Sequence, residues 1–150
     1  MTRSKRLAPA GRVIDERERQ QAEQLAAIEK RVAEHEAKLG ELERYHADYA
    51  RDFAARAGQG TGAASLRDYQ IFLARLTQAI QQQTQLLLQV RLERDAVEQR
   101  WQQAAQHAKA VGNVMDRWRA EEHYAEERRD QRDSDERAQR SPGSRGSNGS

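Results

Sequence analysis

Cysteine is absent from the 150 residues, which excludes a disulfide framework and thiol chemistry and suits a reducing compartment. Proline occurs only as Pro9 and Pro142, near the ends, so the strongest helix breaker is missing from the whole middle of the chain. Aromatic residues are scarce, at 5%, and apolar runs are short, Leu86-Leu87-Leu88 being typical. Runs of that length exclude a membrane-spanning helix. After the basic stretch Arg3-Ser4-Lys5-Arg6, the charges of Arg12, Asp15 and Glu16 interrupt the sequence, so no signal peptide is expected. Nor does one sign of charge dominate: 26 basic against 24 acidic residues leave a net charge of +2, with both signs interspersed. The pI near 9.1 therefore implies no nucleic-acid groove.

What the chain has is charge, Ala, Glu, Gln, Arg and Leu, a composition of long helices rather than of a compact core. Residues 66 to 118 carry the dominant pattern. Alternate steps of three and four residues from Leu66 reach Tyr69, Leu73, Leu76, Ile80, Gln83, Leu87, Val90, Arg94, Val97, Trp101, Ala104, Ala108, Val111, Met115 and Trp118. Only Gln83 and Arg94 break this apolar row. A spacing of about 3.5 residues held over about seven heptads is a coiled-coil seam. A helix with so narrow a stripe depends on what packs against it.

A weaker seam precedes it: Leu7, Ile14, Gln21, Leu25, Ile28, Val32, His35, Leu39, Leu42, His46, Tyr49 and Phe53, with Glu18 as another polar member. Between the two lies Gly58-Gln59-Gly60-Thr61-Gly62, whose glycines supply the positive φ of a helix C-cap and a reversal. Ser65 followed by Asp68 reads as the N-cap and acidic start of a second helix. So short a link makes the helices antiparallel neighbours. The sequence thus predicts an all-α fold, a long antiparallel two-helix coiled-coil hairpin over residues 1–140. Helix 1 is placed at about 11–57, the turn at 58–64 and helix 2 at about 66–137. At 1.5 Å per residue the helices would be about 70 Å and about 105 Å long. A Ser/Gly tail at 141–150 is expected to be disordered.

Folding about Gly60 pairs residues whose numbers sum to about 122. Phe53 then meets Tyr69, Tyr49 meets Leu73, Leu42 meets Ile80, His35 meets Leu87, Leu25 meets Val97 and Gln21 meets Trp101. The same register sets Glu29 near Arg91 and Arg31 near Glu93, opposite charges on opposite edges.

Candidates for chemistry are few. The Gly-rich turn lacks the preceding strand and the Gly-Lys-Ser/Thr ending of a phosphate-binding loop. His35 and His46 stand about 16 Å apart along a helix, too far to share a metal ion, and read as polar seam positions that fix register. His123 with Glu126 and Glu127 reads as a solvated charged face, because a specific metal site needs more ligands and a shielding shell. No catalytic, cofactor-binding or metal residues are assigned, and no enzyme activity is expected: two helices enclose no pocket that excludes water.

The informative anomaly is at the flanks of the seam. One edge of the tip half holds Tyr45, Phe72, Ala79 and Leu86 with Lys38 and Asp52, whereas toward the open end it becomes Arg17, Gln24, Arg31, Glu93, Arg100 and His107. The opposite edge of the tip carries Glu36, Glu43, Ala50, Gln70, Thr77 and Thr84. A single apolar strip, bordered by Leu42, Tyr49 and Leu76, therefore marks a partner site.

Leu42-x-x-Tyr45-x-x-x-Tyr49, a Gly-rich turn, Tyr69-Gln70-x-Phe72-x-x-x-Leu76-x-x-Ala79-Ile80, then Trp101 and a charged C-terminal helix, together resemble the FliJ family of flagellar export proteins over residues 1 to about 140. The resemblance implies a cytoplasmic, non-enzymatic component of the flagellar type III export apparatus, peripherally associated with the inner membrane. It implies a hairpin similar to the central stalk of rotary ATPases, which binds and activates the hexameric export ATPase, contacts the export gate and binds export chaperones. The gate-contacting positions of the family match Leu42, Tyr45, Tyr49, Phe72, Leu76 and Ala79. Gln83 stands at a further such position where some members carry His, and Lys38 where some carry Gln. Arg117, Arg119, Arg128 and Arg129 on the unpaired end of helix 2 would suit the ATPase ring. Competing readings are the stalk of a virulence-type secretion system, a generic coiled-coil scaffold, and a nucleic-acid binder whose affinity would fall steeply with salt.

Overall fold

A computed structural model describes residues 1–60 and 62–140. Thr61 of the turn and the Ser/Gly tail lie outside the described residues. The fold is all-α. Helix α1 spans Arg3–Gly58 and helix α2 spans Ala63–Arg140, and the two pack against each other in antiparallel pairing. Their residues group into two compact units. Among the described residues, one holds Met1–Glu18 with residues 104–140, the other Arg19–Gln103.

Every position of the seam predicted for α2, from Leu66 to Trp118, is buried or half-buried, including the two polar exceptions. Along α1 the same holds for every predicted position but Tyr49. The row also runs further than predicted, through Ser4 and Gly11 in α1 and Glu122 in α2. In the second unit Ile28, Val32, Leu87, Val90 and Val97 form the buried core, with Leu25 and Leu39 packed on it. Full burial of one such side chain contributes about 1.5–3 kcal/mol, which is what makes helices with polar outer faces stable.

Three expectations are corrected. First, α1 starts at Arg3 rather than near residue 11 and runs through Pro9. Proline removes a hydrogen bond and crowds the preceding turn, but long-range contacts hold that turn in place. Thr2 caps the helix, its Oγ1 accepting from Lys5 N at 3.4 Å, while Arg6 N donates to the Thr2 carbonyl. Glu122 of α2 accepts from Ser4 N at 3.0 Å and also from the Ser4 hydroxyl. Arg3 pairs with Glu121 at 3.0 Å and lies 4.8 Å from the Trp118 ring centroid. No acidic residue sits in the first turn of α1, so a carboxylate from the partner helix supplies the negative charge that a helix N-terminus favours.

Second, α2 starts at Ala63 rather than residue 66 and continues to Arg140. Leu66 N donates to Gly62 O, so Gly62 takes the capping position and Ser65 lies inside the first turn. Gly60 carries a φ of 74°, the left-handed conformation that the reversal requires and glycine adopts without a Cβ clash. Third, Arg31 does meet Glu93, at 3.3 Å, but Arg91 pairs with Glu36 at 3.1 Å instead of Glu29. Glu36 occupies the same edge one heptad closer to the turn, within reach of the long guanidinium.

Candidate docking surface

The tip of the second unit is organised by aromatic rings that two helices supply in register. Tyr49 of α1 meets Phe72 of α2 with ring centroids 4.6 Å apart. Tyr69 stands 6.3 Å from Tyr49 and 6.4 Å from Phe53. These tilted pairings each add about 0.5–1.5 kcal/mol beyond area burial. The Tyr69 hydroxyl donates to Asp52 Oδ2 at 2.6 Å, Arg56 Nε donates to the same oxygen at 3.3 Å, and the Arg56 guanidinium lies 5.3 Å from the Tyr69 ring centroid. The hydrogen bond from Tyr69 holds the Asp52 carboxyl below its ordinary value, and the same bond raises the Tyr69 phenol above its own. From sequence, Asp52 is only a charged member of the edge. Its spacing of four from Arg56 was the available signal, whereas the contact with Tyr69 depends on the fold.

On this clamp the strip remains open to solvent. Tyr45 is 55% exposed, Phe72 40% and Tyr49 39%. Leu86 is exposed too, and Leu42, Leu76 and Ala79 border the strip half-buried. A surface depression of about 180 Å³ is lined by Tyr49, Asp68, Tyr69 and Phe72. Lys38 is exposed beyond the strip. Aromatic rings that are half out of water on a rigid base lose little entropy when a partner covers them.

Gln83 is placed elsewhere. It is 3% exposed, and its Nε2 donates to the His35 carbonyl at 3.2 Å and lies 2.9 Å from His35 Nδ1. That environment makes it a seam residue locking one helix to the other, with no face left for a partner. A second polar lock lies nearer the tip. Thr77 donates its single hydroxyl hydrogen to Leu73 O at 3.0 Å, which leaves its oxygen to accept from His46 Nε2 at 3.2 Å. The expected seam partner of His35 was Leu87; the long amide of Gln83 reaches the imidazole first.

In the first unit Arg117, Arg119, Arg128 and Arg129 are all exposed. Arg128 lies 5.8 Å from the ring centroid of the exposed Tyr124, and His123 Nε2 sits 3.2 Å from Glu127 Oε1. The four arginines share no single face of α2: Arg117 and Arg128 fall three turns apart on one side, while Arg119 and Arg129 are rotated away from it. No helix among the described residues is long and apolar enough to cross a membrane.

Comparison with known proteins finds no match among curated proteins and none among solved structures. A family model, that of the flagellar FliJ protein, matches residues 4–147. Coverage of nearly the whole chain, on a fold of two packed helices with an aromatic tip, places this protein in the FliJ family, a component of flagellar protein export.

Proposed function

We propose that this protein is the stalk of a flagellar type III export apparatus. In this reading it acts from the cytoplasm, binds the hexameric export ATPase and raises its turnover, docks its tip on the cytoplasmic region of the export gate, and escorts export chaperones. The observation that carries the reading is the one-sided tip. Tyr45, Tyr49 and Phe72, with Leu42, Leu76 and Ala79 at the border, form an apolar surface on one edge, while the opposite edge, lined by Glu36, Glu43, Ala50, Gln70, Thr77 and Thr84, has no large apolar side chain. A single sticky edge gives a directional contact, as a gate would need. The arginines of the α2 end, interleaved with Glu121, Glu122, Glu126 and Glu127, suit the polar lumen of a ring. The chain itself needs no chemistry in this role: it biases which states the ring populates.

The test is ATP turnover and ring assembly by the cognate export ATPase with and without this protein. Stimulation of turnover together with a larger share of hexamer is expected. Unchanged turnover and assembly at saturating protein would refute the ATPase part. Charge reversal at Arg117, Arg119, Arg128 and Arg129 should remove the stimulation, and stimulation that survives it would relocate the ring contact.

A further inference from the structure

A chain that is one-third charged has no charged side chain anywhere from 76 to 90. The seam accounts for the buried members of that run but not for its outer face. Directly opposite the seam, α2 presents a second row spaced by three and four residues: Gln78, Gln81, Gln85, Leu88, Leu92, Asp95, Gln99 and Gln102, all exposed. Leu88 is 54% and Leu92 62% exposed. The corresponding outer row of α1 alternates the charges of Glu23, Lys30, Arg44 and Arg51 with alanines and Gly40 and carries no large apolar side chain, as a solvated helix face does. The outer row of α2 also lies on a different side from the Tyr45 and Phe72 edge, so the docking surface described above leaves it unused.

The row is self-complementary. Laid antiparallel on a second copy of itself about residue 90, it sets Leu88 on Leu92 of the other copy and the reverse, Gln81 on Gln99, Gln78 on Gln102, and Gln85 on Asp95. Each pair meets as one seam position meets another in an antiparallel coiled coil. No carboxylate faces a carboxylate in this row. Along its flanks Gln82 and Gln89 are neutral. Arg91, next to the dyad, is already neutralised by Glu36 of its own chain at 3.1 Å. Amide pairs hydrogen-bond across such a contact, and the two leucine pairs supply its apolar centre.

We propose that this face of α2 is a homodimer interface, in which two copies pair antiparallel about residue 90 through Leu88, Leu92 and the flanking glutamines. With two leucine pairs as its only large apolar contacts, the contact belongs to the weak, reversible class. Asp95, like Arg91, is paired within its own chain, with Arg94 at 3.0 Å, so no charge pair holds the two copies together and the strength of the contact varies little with salt.

Since the chain has no cysteine, Gln78→Cys gives one labelling site per copy for a nitroxide. Sedimentation velocity of the full chain up to about 100 µM should show a monomer–dimer equilibrium, unchanged between low and high salt. Electron–electron distance measurement on the labelled protein should give about 35–40 Å between copies. Leu88→Glu with Leu92→Glu should weaken association at least tenfold while the helical melting curve stays in place, since neither side chain belongs to the seam. Four results would overturn the proposal: a monomer at every concentration, which would leave the face to a helix of another protein; a spacing of about 10–15 Å, which means parallel pairing; association that fades steeply with salt; or a dimer that survives the double glutamate variant.

Discussion

Gln83 and Gln21 occupy equivalent polar positions in the seams and carry opposite consequences. Gln83 is buried with its amide bonded to His35, so Gln83→Ala strands the ring nitrogen, while the helical carbonyl keeps its bond within α1, and should cost about 1–3 kcal/mol in chemical denaturation. The buried Oε1 of Gln21 has no hydrogen-bond partner. Gln21→Leu removes that orphan and adds apolar surface, so it should stabilise by about 1 kcal/mol in the same measurement. From sequence both residues look alike. Only the position of the opposing side chain, a histidine for one and not for the other, separates them. Glu122 makes a third residue-scale case. Its carboxyl is held below the ordinary 4.5, first by the Ser4 hydroxyl and then by the Ser4 amide. A lowered folded pKa means a contribution complete above the unfolded value and lost as pH falls through the folded one. Acidification below about 4.5 should therefore fray the first turns of α1 before the core melts, read as lost protection of the Ser4 amide relative to its intrinsic exchange rate, and Glu122→Gln should flatten that pH dependence.

At the scale of elements, helix glycines report where close packing matters. A Cβ at Gly40 would meet nothing within 4 Å, so Gly40→Ala should stabilise α1 by about 0.5–1 kcal/mol through lowered backbone entropy. A Cβ at Gly11 would stand 3.0 Å from the Met115 thioether, and Met115 is buried there. The gain of Gly11→Ala should fall well short of that at Gly40, because a packed sulfur has to move. Thermal melts of the two variants measure the difference. The heptad rows made both seams readable because burial follows a period that sequence states outright. The turn was readable from its glycines, and the exposed edge from the letters flanking the seam. Helix ends were not: the continuation of α1 past Pro9 depends on Glu121, Glu122 and Trp118, more than a hundred residues away in sequence, and local propensity yields to such contacts. The burial of Gln83 was hidden for the same reason, since a glutamine at a seam position next to an apolar strip points either way until its partner is known.

At the scale of the molecule, the surfaces of the two helices divide the labour. One face of each helix closes the fold, and a few aromatic residues at the edge of that closure stay available. Tyr45 and Phe72 are the residues where the two roles separate most cleanly, as both are exposed and neither belongs to the buried core. The family match establishes flagellar export as the setting. The tip is what would connect the fold to a particular partner. The deciding measurement is calorimetric titration of the export gate's cytoplasmic region with the native chain and with the Tyr45→Ala/Phe72→Ala double variant, alongside helical melting of both. The account predicts that the variant binds at least tenfold more weakly while its melting midpoint moves by only a few degrees. Undiminished binding, or a collapse of the melting transition showing that the rings are core, would contradict it.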